Sequence, residues 1–195
     1  MTPTPAQRRA SRPDDWPATE QPFFGPAIFR LVIMALSRYN VDGLENLPEP
    51  PFVAASNHLS YFDAAALAPV APRGTIALAA EKYRRTMMEP IMRLNSVIWV
   101  KQFSADRGAL RSAIRVLNEG EILAVAPEGT RSRTGGLIKG RSGTAYVATR
   151  AGVPIVPIGV WGTERIFKHP RPKVHVRFGR PFELPAGRAK TGELN

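Results

Sequence analysis

The sequence predicts a single α/β domain, a mixed and mostly parallel central sheet flanked by helices, with an interfacial helix at its amino-terminal side. Two observations carry that prediction. From Tyr39 onward, short apolar runs alternate with stretches of helical composition or spacing, the pattern of strands separated by covering helices. At 195 residues the chain can bury one sizeable core and is short for two.

Taken in order, residues 1–20 read as a flexible basic tail, with Arg8, Arg9 and Arg12 among prolines and no secretory apolar core. Residues 21–39 hold the most apolar early stretch, Phe23 to Leu36. A membrane-spanning helix needs roughly 20 apolar residues; this run is shorter and Arg30 interrupts it. It suits a helix lying on a bilayer with Arg30 and Arg38 at headgroup level, and equally an ordinary helix packed on the domain. Residues 40–195 form the domain proper. Strands are expected at 52–56, 75–80, 97–100, 122–126, 155–160 and 173–178, and helices at 63–70, 81–94, 106–119 and 142–151. In 106–119, Leu110, Ile114 and Leu117 recur at helical intervals and Gly120 follows the end.

The formal net charge is +11, and most of the 27 basic residues are arginine, whose planar fork suits phosphate. Such a surface fits anionic lipid headgroups, a phosphorylated small molecule or nucleic acid. No zinc-finger spacing and no aromatic RNP run accompanies it, so nucleic acid is not the expected partner. The absence of cysteine excludes disulfides, thiolate metal sites and a cysteine nucleophile. His169 and His175 flank the last strand without ligand spacing and read as solvated edge positions, so no metal and no cofactor is expected.

Two motifs carry chemistry. The first is Asn57-His58-Leu59-Ser60-Tyr61-Phe62-Asp63, delivered by an apolar strand. Imidazole titrates near neutrality, and a carboxylate beside it fixes the tautomer and stabilises the imidazolium. Alone, the pair suits a helix cap on Asn57 or Ser60 as well as a general base. The second motif, Pro127-Glu128-Gly129-Thr130-Arg131-Ser132, tips that balance. Proline and glycine fix a tight turn, Thr130 and Arg131 can hold phosphate oxygens, and Glu128 can accept from a hydroxyl or hold an arginine. Lys139 and Arg141 add charge to the same loop. The Gly-Lys-Ser/Thr ending of a Walker loop is missing, and so is the Gly-x-Ser-x-Gly elbow of serine hydrolases. The histidine is therefore expected to activate a hydroxyl of the substrate.

These two motifs, followed by Val153-Pro154-Ile155-Val156-Pro157, resemble the first, third and fourth blocks of the glycerolipid acyltransferases, whose type enzyme is 1-acylglycerol-3-phosphate (lysophosphatidate) acyltransferase. The resemblance runs from about residue 41 to about residue 181. It implies transfer of a fatty acyl chain from acyl-CoA or acyl-carrier protein to the free hydroxyl of a lysophospholipid, by default 1-acylglycerol-3-phosphate, with no acyl-enzyme. It makes His58 the base and Asp63 its partner. Glu128, Gly129, Thr130 and Arg131 would bind the acceptor's phosphate and glycerol. Lys82 would polarise the thioester carbonyl as an oxyanion group. The chain departs from the family where Gln102 stands in place of the arginine that ends the second block, Ser96 in place of glycine and Ala126 in place of phenylalanine. Lys101, Arg107 or Lys139 would then supply charge for the phosphate. The implied setting is a peripheral or monotopic protein on the cytoplasmic face of an anionic membrane. The alternatives are the same chemistry on another lyso-lipid or glycolipid, and a non-catalytic anionic-lipid-binding protein of the same fold.

Overall fold

A computed structural model describes residues 25–185 apart from 88, 93–95 and 105; the tail expected over 1–20 lies outside the described residues. Five of the expected apolar runs form strands: β2 (Val53–Ser56), β3 (Thr75–Ala80), β4 (Ser96–Val100), β5 (Ile122–Val125) and β6 (Ile155–Trp161). They run parallel to one another, with β2 between β5 and β6, and β3 between β5 and β4. The sixth, β7 (Lys173–Phe178), turns back antiparallel to β6. A further strand, β1 (Arg38–Asp42), lies parallel to β7 at the edge, giving the order β1-β7-β6-β2-β5-β3-β4.

β1 corrects the expectation of a helix over 21–39. The helix, α1 (Gly25–Leu36), ends earlier, and Arg38 and Tyr39 belong to the strand. Its Arg-Tyr-Asn-Val-Asp sequence alternates exposed and half-buried positions, the period-2 pattern of an edge strand without an apolar run. The expected helix over 81–94 is also not continuous. A 3-10 turn at Glu81–Tyr83 and left-handed backbone at Arg85 (φ 66°) precede a short helix, α3 (Glu89–Met92). Pro90 explains the break, because proline is tolerated in the first turn of a helix and not in its interior. The other helices match: α2 (Asp63–Leu67) with a 3-10 turn at Ala68–Val70, α4 (Arg107–Asn118) and α5 (Gly143–Ala151). Asp106 caps α4 by accepting the Ala109 N–H at 3.0 Å.

Helices cover both faces of the sheet because alternate strand residues point to opposite sides. Phe52 and Ala54 pack on one side with Ile33 of α1, Val156, Val174 and Val176. Val53 packs on the other with Ala113 and Leu117 of α4 and Val147 and Ala148 of α5. Phe29 and Ile33, one turn apart on α1, are buried, while Ile28, Leu31 and Met34 on the same helix are exposed. No described helix is long and apolar enough to cross a membrane. The five parallel strands deliver their carboxyl ends to one edge of the sheet, where ligands sit in open α/β folds.

Candidate active site

Adjacency of two strands brings the two motifs together across 70 residues of sequence. β2 and β5 pair Ala54 with Ala124 and Ala55 with Val125, and continuing that register sets His58 beside Glu128. The His58 N–H donates to Glu128 Oε1 at 3.2 Å, and the Ser132 N–H donates to the His58 carbonyl at 2.7 Å. The histidine backbone is thus clamped to the glutamate turn on both sides. Asn57 holds the other neighbour, β6: its Nδ2 donates to the Val160 carbonyl at 2.8 Å and its Oδ1 accepts the Val160 N–H at 2.7 Å. Asn57 is therefore a cross-strand clamp and not a helix cap. Ser60 Oγ accepts the Phe62 N–H at 3.2 Å in the turn before α2.

His58 Nδ1 lies 2.8 Å from Asp63 Oδ2. The same oxygen accepts the N–H groups of Leu59 at 2.7 Å and Ser60 at 2.8 Å, while Oδ1 accepts the hydroxyl of Thr163. Asp63 is 3% exposed, so a carboxylate buried at this depth needs that full set of donors. The interval of five works because Asp63 is the first residue of α2 and the preceding turn curls over its side chain. The His58 side chain remains one-third exposed at 33%. With Nδ1 directed at the carboxylate, Nε2 is the ring nitrogen left for a substrate proton.

Glu128 is buried, and among the described residues its Oε2 has no hydrogen-bond partner. Gly129 adopts φ 67°, a conformation that glycine takes without strain, and its carbonyl accepts from Gln102 Nε2 at 2.7 Å. Thr130 is half-buried beside it. The Arg131 guanidinium lies 3.6 Å from the centroid of the Tyr61 ring, and that of Arg141 lies 4.7 Å from the Phe103 ring. Lys82 and Lys101 line an open cavity of about 460 Å³ with Glu81, Gln102 and Phe103, at the carboxyl ends of β3 and β4. Lys139 and Arg107 are exposed, the first in the 127–141 connection and the second opening α4. Neither makes a hydrogen bond or ion pair to the clamped motifs among the described residues. His175 lies within β7, stacked on Trp161 at 5.0 Å between centroids, and does not flank the strand. Among the described residues no group of three or more His, Asp or Glu side chains could hold a metal ion.

The profile of the Acyltransferase family matches residues 38–161, from the first residue of β1 to the last of β6. The chain belongs to the acyltransferase family. It is 30% identical over 133 residues to the chloroplastic 1-acyl-sn-glycerol-3-phosphate acyltransferase LPAT1 of Arabidopsis thaliana, covering 66% of this chain and 37% of that protein. It is 29% identical over 140 residues to the 1-acyl-sn-glycerol-3-phosphate acyltransferase of Pseudomonas aeruginosa, covering 68% of this chain and 52% of that one. The chain thus spans about half or less of the length of these curated relatives. Among solved structures, the LPA acyltransferase PlsC of Thermotoga maritima superposes with a TM-score of 0.67 at 25% identity, over 87% of this chain and 72% of that one. That likeness agrees with the α/β architecture and the mostly parallel sheet expected from the sequence.

Within this acyltransferase-family domain, several contacts carry no signal in the sequence. Thr163 follows β6 in a connection without a motif, yet it meets Asp63. Tyr61 reads as filler between His58 and Asp63, yet it underlies Arg131. Gln102 is conspicuous only as a departure from the family pattern, and its hydrogen bond to the Gly129 carbonyl is visible in three dimensions alone.

Proposed function

We propose that this chain transfers a fatty acyl group from the thioester of acyl-CoA or acyl-carrier protein to the free hydroxyl of a lysophospholipid, with 1-acylglycerol-3-phosphate as the acceptor. The observation that carries this reading is the 2.8 Å contact between His58 Nδ1 and a nearly fully buried Asp63. Asp63 accepts a hydrogen bond from Nδ1–H, so the Nε2 lone pair takes the proton of the acceptor hydroxyl as its oxygen attacks the thioester carbonyl. Collapse of the tetrahedral adduct breaks the C–S bond, and the imidazolium returns the proton to the departing sulfur. No acyl-enzyme forms, in keeping with a chain that has no cysteine. Lys82, exposed on the adjacent connection, is the group nearest in chemistry to an oxyanion partner, and Arg131, Lys101 and Lys139 supply positive charge for the phosphate.

That the Arabidopsis thaliana and Pseudomonas aeruginosa relatives are 1-acyl-sn-glycerol-3-phosphate acyltransferases supports this acceptor. The partner surface is an anionic bilayer on the cytoplasmic side. The exposed Ile28, Leu31 and Met34 of α1 offer an apolar contact, and the net positive charge an electrostatic one.

One observation favours a second acceptor class. Gln102 stands where the family resemblance implies an arginine, and its neutral amide donates to the Gly129 carbonyl, which leaves one charge fewer for a phosphate. Acyl transfer measured from both donors to lysophosphatidate, to other lyso-lipids and to monoacylglycerol tests the assignment. Turnover concentrated on lysophosphatidate is the expected result; strong turnover on a phosphate-free acceptor with none on lysophosphatidate would reassign the substrate.

A further inference from the structure

The geometry points to Tyr61 as a positioning residue that holds the Arg131 guanidinium over its ring for the acceptor's phosphate; this rests on the acyl-transfer reading above. The guanidinium carbon stands 3.6 Å from the Tyr61 ring centroid, well inside cation–π range. The guanidinium carries five N–H donors, more than its hydrogen bonds to the Tyr61 and Tyr83 hydroxyls use, and the remaining donors suit phosphate oxygens, which accept from arginine bidentately. A lysine at the same position would have no such plane to orient.

Three connections converge on this stack. Tyr61 follows β2, three residues after His58; Arg131 follows β5, three residues after Glu128. Tyr83, from the turn after β3, braces Tyr61 edge to face, with centroids 6.1 Å apart at 79° and hydroxyl oxygens 3.4 Å apart. The hydroxyl of Tyr61 is made more acidic than usual, first by its hydrogen bond with Tyr83 and then by the nearby charges of Arg131 and Lys82. Tyr61 is 48% exposed, so core packing does not account for its place. What the ring supplies at this spot is a platform. It ties the cation on one motif to the histidine on the other, so that phosphate and reacting hydroxyl are positioned by a single braced unit.

Steady-state kinetics of Tyr61→Ala, Tyr61→Phe, Arg131→Ala and Tyr61→Ala/Arg131→Ala test the assignment, each with 1-acylglycerol-3-phosphate and with monoacylglycerol. Tyr61→Ala should raise KM for the phosphorylated acceptor about 2- to 30-fold, the range that a cation–π contact supplies, with a smaller effect on kcat. Tyr61→Phe should restore the KM, and Tyr61→Ala should add nothing once Arg131 is alanine. Equal KM increases for both acceptors, a loss confined to kcat, or full additivity with Arg131→Ala would overturn the assignment. Calorimetric titration with a short-chain, water-soluble 1-acylglycerol-3-phosphate separates this idea from the reaction itself. If the wild type binds that ligand but transfers no acyl group, the proposed reaction fails, and weaker binding by Tyr61→Ala but not Tyr61→Phe still supports the platform. Equal binding by all three, or none by the wild type, refutes it.

Discussion

Thr163 donates its hydroxyl hydrogen to Oδ1 of Asp63, joining the end of β6 to the carboxylate that faces His58. The other oxygen of Asp63 already serves His58 and two backbone N–H groups, and among the described residues Thr163 is the group that satisfies Oδ1. Removing a hydrogen bond to a buried charged group costs about 1.5–3 kcal/mol. Thr163→Val should lower stability by about that amount in chemical denaturation and reduce kcat more than KM, since it loosens the group that orients the base. Thr163→Ser, which keeps the hydroxyl, should retain most of both.

Glu128 accepts the His58 N–H through Oε1, while Oε2 is buried without a partner among the described residues. Glutamine retains the acceptor. Glu128→Gln should therefore stay within about 1 kcal/mol of wild-type stability, whereas Glu128→Ala leaves the His58 N–H unpaired and should cost about 1–3 kcal/mol. Urea midpoints compared at constant slope decide it.

Asp106 separates the β4 connection from α4. Its carboxylate accepts the N–H groups of Ala109 and Lys101, which hold its pKa below the usual carboxylate range. A lowered folded-state pKa means that its contribution is fully present above the ordinary value and is lost as pH falls through the lowered one. Asp106→Ala should cost about 1 kcal/mol at neutral pH, and Asp106→Asn less. Denaturation curves at neutral and strongly acid pH should show the Ala deficit shrinking in acid.

Tyr39 behaves in the opposite sense. Its hydroxyl donates to the Ala66 carbonyl, and burial pushes its pKa up to about 12. The folded state holds this proton more tightly than the unfolded chain, so the contribution is complete below pH 10 and fades as pH rises toward 12. Tyr39→Phe should flatten that alkaline decline in stability, followed by thermal unfolding from pH 8 to 12.

The sequence foretold the fold where physics is local. Continuous apolar runs such as Phe52-Val53-Ala54 announce buried parallel strands, and Leu110, Ile114 and Leu117 announce α4. β1 was hidden because an edge strand paired on one side requires no apolar run, and α3 was displaced because Pro90 restarts a helix that composition would continue. The site followed the same division. His58 and Asp63 are five residues apart, a spacing that permits their meeting without requiring it. The union of His58 with Glu128 depends on the β2–β5 register, and that of Asp63 with Thr163 on β6 lying against β2. Those are pairings between distant segments that no local pattern records.

The most direct test of the central claim is single-turnover acyl transfer by His58→Ala, with vesicle binding and thermal unfolding measured alongside. If the imidazole takes the hydroxyl proton, the variant should fold and bind vesicles as the wild type does and lose about 100- to 10,000-fold in the rate of transfer. Transfer within about tenfold of the wild type, a loss smaller than general-base catalysis supplies, would contradict a reaction that runs through His58.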